Sequence, residues 1–102
     1  MRFDWDEEKR RTNLNKHGLD FREAWRIFQS HTATRLDDRY DYGEERWVTL
    51  GMLEGRVVVL VYTEPDENTI RVISLRKALT YEQAEYEQGL RDRLGEGGRD
   101  DG

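Results

Sequence analysis

No cysteine occurs among the 102 residues, and proline occurs once. The missing thiols exclude a disulfide framework and any thiolate metal site, and they suit a reducing compartment. Histidine is scarce as well. His17 and His31 are the only two, and they are not at the i, i+4 spacing of a helical zinc pair. No metal and no other cofactor is therefore expected. Apolar residues make up 35% of the chain, against a usual share of about 45–50%, so the core must be small. Long apolar runs are also missing. The longest, Val57-Val58-Val59-Leu60-Val61-Tyr62, is strand length, far short of the roughly 18 residues that span a membrane. The opening Met1-Arg2-Phe3-Asp4-Trp5-Asp6 places acids where a signal peptide needs an apolar stretch. These shortages together predict one intracellular, cytoplasmic domain without membrane association, of the size at which single domains are common.

Charge is what the sequence has in excess. Charged residues make up 38% of the chain, and the net charge is −5. A surplus of acid opposes binding to a polyanion, whose affinity comes largely from phosphate neutralisation. The distribution qualifies the sum. Residues 1–36 hold eight Lys/Arg and six Asp/Glu, a net of +2, and the remainder holds nine and sixteen, a net of −7. Fourteen of the seventeen cations are arginine, the side chain that grips phosphate bidentately. Arg-rich surfaces most often serve solvated ion pairs, so a nucleic-acid role requires these arginines to converge on one face.

Local patterns predict the order β-α-α-β-β-β-β-α. Phe3-Asp4-Trp5 reads as a short edge strand. Asp6 caps a helix over 7–17, with Glu7 and Glu8 at its positive end and Gly18 at its C-terminal stop. Leu14 is the helix's only large aliphatic residue, so its packing must be shallow. Asp20 with Glu23 opens a second helix reaching Gln29-Ser30, where Phe21, Ala24, Trp25 and Phe28 form an apolar stripe for the core. Strands follow over 32–36, 46–53, 56–63 and 69–76, with Glu54-Gly55 and 64–68 as turns. Thr80 and Gln83 open the last helix, which ends near Leu94. The fold class is α+β: a small antiparallel sheet with two N-terminal helices and a C-terminal helix packed on it. Residues 1–94 form the domain, and Gly95-Glu96-Gly97-Gly98-Arg99-Asp100-Asp101-Gly102 a flexible tail.

The segment Phe3-Asp4-Trp5-Asp6-x-x-Lys9-x-x-x-Asn13-x-x-Lys16-His17-Gly18-x-x-Phe21-x-Glu23-Ala24 resembles the opening of BrnT-type toxins, the toxin halves of bacterial type II toxin–antitoxin pairs. Three later stretches agree in order. They are Gly43-Glu44-Glu45-Arg46, Val61-Tyr62-Thr63-Glu64, and Arg71-Val72-Ile73-Ser74-x-Arg76-x-Ala78 leading to Glu82, Glu85 and Tyr86. The resemblance spans roughly residues 3 to 87, which makes it specific where any one stretch would be weak. It implies a RelE-like fold and a ribonuclease that suppresses translation. It also implies a cognate antitoxin, BrnA, with a ribbon-helix-helix DNA-binding region, so that DNA is met only through the complex. Pro65 stands where many members carry a basic residue, and Leu75 where a smaller residue is common.

Metal-independent RNA cleavage needs a base for the 2′-OH, cations for the phosphorane and an acid for the leaving 5′-oxygen. Its nucleophile belongs to the substrate, which suits a chain without a thiol or a Ser/His/Asp arrangement. Arg46, Arg71 and Arg76, on or beside strands, are the candidates for phosphate binding and transition-state stabilisation. Surface ion pairing is as good a reading of each one singly. Residues 71 and 76 have opposite parity, so they share a face only if a bulge intervenes or if Arg76 lies past the strand end. His17 ends the first helix, whose dipole favours the imidazolium, so a raised pKa and a role as general acid or phosphate contact are expected. The alternative for His17 is a helix cap bonding the last carbonyls. Lys16 and, more weakly, Lys9 are supporting phosphate contacts. Glu45 is a possible base, though an ion-pair partner of Arg46 is its commoner role. Tyr86 is a possible acid or base-stacking ring, though core packing is its commoner role.

Two non-catalytic readings compete with the ribonuclease. One is a degenerate toxin serving as an antitoxin-binding or corepressor module, and the other is an acidic adaptor unrelated to RNA. Trp5, Tyr40, Tyr42 and Trp47 exceed what so small a core requires, which predicts exposed aromatics at a partner interface.

Overall fold

The computed structural model describes residues 1–98. It is an α+β structure in the order β1 (Arg2–Asp4), α1 (Glu7–His17), a 3₁₀ turn (Phe21–Glu23), α2 (Ala24–Ile27), β2 (Ala33–Asp37), β3 (Arg46–Leu53), β4 (Arg56–Asp66), β5 (Thr69–Lys77) and α3 (Thr80–Gly98). The five strands form one sheet in the order β1-β5-β4-β3-β2. The expected antiparallel sheet is corrected to a mixed one, because β1 pairs parallel to β5. Alternation of side chains marks a strand but carries no information about its direction, which here follows from the return of the chain through α1 and α2.

The local signals at the first helix act as anticipated. The Asp6 carboxylate accepts hydrogen bonds from the amides of Glu8 and Lys9 at 2.9 and 3.1 Å. Gly18 takes the left-handed conformation, φ 71°, and its amide bonds the Leu14 carbonyl. At the β3–β4 hairpin, Glu54 and Gly55 both have positive φ, the requirement of a two-residue type I′ turn.

The second helix departs from expectation. Its first turn is 3₁₀ and its α-helical part is four residues long. The tighter winding moves the buried positions to every third residue, Phe21, Ala24 and Ile27. Trp25, expected in the core, is exposed and Phe28 is half-buried. The α2 segment crosses β3 at Gly51, where an added Cβ would lie 2.5 Å from Ile27 Cγ2. Two other expected boundaries also move. Strand β4 continues past Pro65 to Asp66, with a register irregularity between Thr63 and Asp66 that accommodates the missing amide donor. Helix α3 runs to Gly98, into the expected tail, whose residues 99–102 lie outside the described residues.

Each sheet face has its own core. Phe21, Ala24 and Ile27 pack with Leu60, Tyr62, Val72 and Leu75 on one face, joined by the partly buried Phe3, Trp5, Phe28 and Trp47. On the opposite face Tyr86 of α3 packs with Val48, Leu50, Val57 and Val59. Of the four aromatics expected to be exposed, only Tyr40 is fully so. Trp5 and Trp47 pack on the first core, and Tyr42 is half-buried.

Candidate active site

Helix α1 carries Lys9, Thr12, Asn13, Lys16 and His17 at i, i+3, i+4, i+7 and i+8, so its inward stripe is polar. Strand β1 pairs with β5 only as far as Arg71, which leaves the rest of that edge without a neighbouring strand. Asn13 covers it. Its Nδ2 donates to the Leu75 carbonyl at 2.8 Å and to the Leu19 carbonyl at 3.1 Å, while its Oδ1 accepts from the Leu75 amide at 3.1 Å. Asn13 is the one buried residue of α1. The amide side chain substitutes for a strand and sets the helix against the sheet edge.

The β4–β5 register decides the arginines. Tyr62 pairs with Val72 and Val61 with Ser74, so one extra residue enters β5 at this point. Without that bulge, residues 71 and 76 would face opposite ways. With it, Arg71 lies opposite Thr63 and Arg76 opposite Val59, both on the face of Val48, Val61 and Tyr86. Arg46 belongs to the same face, because its neighbour Trp47 opposes Tyr62 and packs on the other core. Arg35 joins them through its pairing with Val48. Four arginines therefore rise from one face, where Tyr86 of helix α3 packs on Val48, Leu50, Val57 and Val59.

A groove of about 470 Å³ runs between α1 and β5, with Lys9, Thr12, Lys16 and His17 on one wall and Ile73 and Ser74 on the other. A smaller one of about 200 Å³ contains Arg46, Thr63 and Arg71 beside Lys9. Asp6, Lys9 and Ile73 line both, so the two are one continuous depression. The structure brings five of the sequence-derived candidates together there: Lys9, Lys16, His17, Arg46 and Arg71.

Their partners differ. Arg71 donates through Nε and Nη2 to Asp4 at 3.1 and 3.4 Å. Its pKa is raised by that pair, which is solvent-exposed and therefore weak. Arg46 stacks on Tyr42, with Cζ 4.0 Å from the ring centroid. Its closest carboxylate is Glu44 at 3.6 Å, too long for a hydrogen bond, and its Nε is buried without an acceptor. Glu45, the possible base whose commoner role is ion pairing with Arg46 or a neighbour, lines a neighbouring depression with Glu44, Trp47 and Arg71.

His17 corrects the expectation of a raised pKa. Burial disfavours its charged form first, and the Lys16 and Arg76 charges add to the effect, so its pKa is lowered. The helix dipole is outweighed by desolvation and two nearby cations. The neutral imidazole of His17 is therefore favoured over the imidazolium.

Two candidates lie outside the depression. Arg76 shares the face but is held bidentately by Glu82, Nη1 to Oε1 at 2.8 Å and Nη2 to Oε2 at 2.9 Å, and Glu82 is 2% exposed. Glu82 also accepts the Leu79 amide at 2.8 Å. The pair raises the Arg76 pKa and lowers that of Glu82, and it ties the start of α3 to β5. Tyr86 is buried in the second core, and its hydroxyl donates to the His31 carbonyl at 3.0 Å. It is not in the depression.

Three residues had no assigned role in the sequence. Asn13 was visible only as one position of the segment that resembles the opening of BrnT-type toxins. Arg35 carries no signal until the β2–β3 register is known; among the described residues it makes no salt bridge within 4.0 Å. Asp37 is buried and braces the loop after β2. It accepts from Arg39 Nε and Nη2 at 2.9 and 3.1 Å and from the Tyr42 hydroxyl at 3.2 Å. The Arg39 guanidinium, with Tyr42 adding to it, holds its pKa down at about 2. Among the described residues no group of three or more His, Cys, Asp or Glu is arranged to hold a metal ion, and no described helix is long and apolar enough to cross a membrane.

The comparisons with known proteins place this small mixed sheet in a class of bacterial ribonuclease toxins. The family model for the ribonuclease toxin BrnT of type II toxin–antitoxin systems matches residues 5–82, and the chain belongs to that family. The crystal structure of the Brucella abortus ribonuclease toxin BrnT is similar to it, with a TM-score of 0.61 and 29% sequence identity, covering 78% of this chain and 99% of that one. No functionally curated protein matches the chain.

Proposed function

We propose that the protein is a metal-independent endoribonuclease that cleaves mRNA through the substrate's own 2′-hydroxyl and thereby inhibits translation. The observation that carries this reading is the continuous depression in which a neutral imidazole and four cations converge: His17 with Lys9, Lys16, Arg46 and Arg71. The neutral His17 ring takes the 2′-hydroxyl proton. The freed oxygen attacks the adjacent phosphorus, and the bond to the 5′-oxygen breaks. Arg46 and Arg71 stabilise the charge that builds on the phosphorane. Lys9 gives a proton to the leaving 5′-oxygen, which departs as a 5′-hydroxyl, and Lys16 holds a flanking phosphate. These four cations outnumber the three carboxylates, Asp6, Glu8 and Glu44, that line the same depression, which reconciles local phosphate binding with a net charge of −5.

In the same reading the cognate antitoxin is BrnA-like, with a ribbon-helix-helix region that carries the DNA binding of the complex, and the pair acts in the cytoplasm. The test is direct. Purified protein is incubated with single-stranded RNA in excess EDTA, and the ends are analysed. Products ending in a 2′,3′-cyclic phosphate and a 5′-hydroxyl are expected. Intact RNA, or cleavage abolished by the chelator, defeats the proposal.

A further inference from the structure

The loop between β2 and β3 presents an aromatic ring that the fold does not use. Tyr40 is 68% exposed. Its neighbours are arranged in a line. Tyr42 meets its ring edge-on with centroids 5.8 Å apart, and the Arg39 guanidinium lies 5.8 Å from its centroid. Tyr42 in turn carries Arg46 at 4.0 Å on its own ring. The series Arg39, Tyr40, Tyr42, Arg46 therefore places two touching rings between two cations and ends inside the depression described above.

This line is held from below. Buried Asp37 takes hydrogen bonds from both Arg39 and Tyr42, the residues on either side of Tyr40. Asp41 accepts the Gly43 amide at 3.0 Å and closes the turn. An exposed ring on a braced loop loses little freedom when something stacks on it. Arg39 beside the ring is already paired with Asp37, so the ring offers a stacking face and the anion contact falls to Arg46 at the far end of the line; a nucleotide has both a flat base and a phosphate.

We propose that Tyr40, flanked by Arg39, is a stacking subsite for one unpaired base of single-stranded RNA, next to the phosphate held by Arg46. The inference rests on the ribonuclease reading and adds to it the physical state of the substrate. The RNA must be single-stranded at this position, because a paired base cannot offer its face to a ring.

The first measurement is binding of a short 2′-O-methyl RNA, which the enzyme cannot cleave. Tyr40→Ala is expected to weaken it about tenfold and Tyr40→Phe to leave it unchanged, since stacking by aromatic side chains has that magnitude and needs only the ring. Both variants should keep the wild-type melting temperature, the ring being exposed. The second measurement moves one abasic nucleotide along the strand. At one position wild type loses the same factor and Tyr40→Ala loses nothing further. Equal affinity of Tyr40→Ala and wild type overturns the inference, as does a Tyr40→Ala variant that binds RNA normally but escapes the antitoxin. Tyr40-dependent binding by a protein that cleaves no RNA upholds the subsite and rejects the ribonuclease.

Discussion

The side chain of Asn13 on α1 makes both hydrogen bonds of the Leu75 peptide on the open edge of β5, giving one at 2.8 Å and taking one at 3.1 Å. The helix that carries Lys9, Lys16 and His17 thus owes its position to an amide, not to an apolar stripe. Asn13→Ala leaves the Leu75 amide and carbonyl buried without partners, each at a cost of about 1–3 kcal/mol. A loss of about 2–4 kcal/mol in urea unfolding is expected. Asn13→Asp loses the donor and fails as well.

Arg46 and Arg71 are expected to affect rate far more than stability. Arg71 sits in an exposed pair with Asp4, so Arg71→Ala changes unfolding free energy by no more than about 1 kcal/mol. Either substitution should lower kcat by about 100-fold or more if the guanidinium meets the phosphorane. A variant that loses affinity but keeps kcat places that arginine in ground-state binding alone.

Arg76 should behave in the opposite way. Glu82 is buried beneath it, and removing either partner strands a charge. Because Arg76 is a third exposed at its side chain, the expected loss for Arg76→Ala or Glu82→Ala is reduced to about 2–3 kcal/mol. A double-mutant cycle in chemical unfolding should return a coupling of about 1 kcal/mol or more. Arg76→Lys does not substitute, since Lys cannot form the two parallel bonds.

The sign of the pH dependence follows from His17. Its pKa is lowered below 6.5 in the folded protein, so the unfolded chain takes up the proton first as pH falls. The stability linked to His17 is therefore complete above pH 6.5 and is lost on acidification through the folded value. The rate should follow the neutral imidazole, with a plateau at pH 7 and a fall on the acid side. His17→Ala removes that acid limb along with most of the activity. A rate that rises on acidification makes His17 an acid and reverses the assignment.

Asp37 governs a more acidic window. Its pKa is about 2 in the folded protein, well below the ordinary value near 3.9. Its contribution is complete above that ordinary value and is lost as pH falls towards 2. Melting curves between pH 5 and pH 2 should show a steeper decline for wild type than for Asp37→Asn, which starts lower. Loss of the brace should also free the loop that carries Tyr40 and Tyr42.

What the residues determined alone was local. Asp6 and Gly18 bound the first helix, because a side-chain acceptor and a left-handed glycine act within one turn. The Glu54-Gly55 hairpin and the apolar run of β4 were legible for the same reason. Lys9, Lys16 and His17 were singled out through the family resemblance and the position of His17 at the helix end. The winding of the second helix could not, since Phe21, Ala24, Trp25 and Phe28 satisfy the α period while the chain folds to the tighter one.

Tertiary structure decided whether there is a site. Arg71 and Arg76 are five residues apart, and only the single-residue bulge opposite Val61 and Tyr62 turns them to one face. Strand direction, register and bulge depend on residues far apart in the chain, so no local pattern encodes them. The same long-range packing separates Arg71, left at the groove beside half-buried Asp4, from Arg76, locked onto buried Glu82. It also lowers the His17 pKa that helix position alone would raise. Burial and neighbouring charge are properties of the assembled fold, and here they outweigh what position in the chain would suggest.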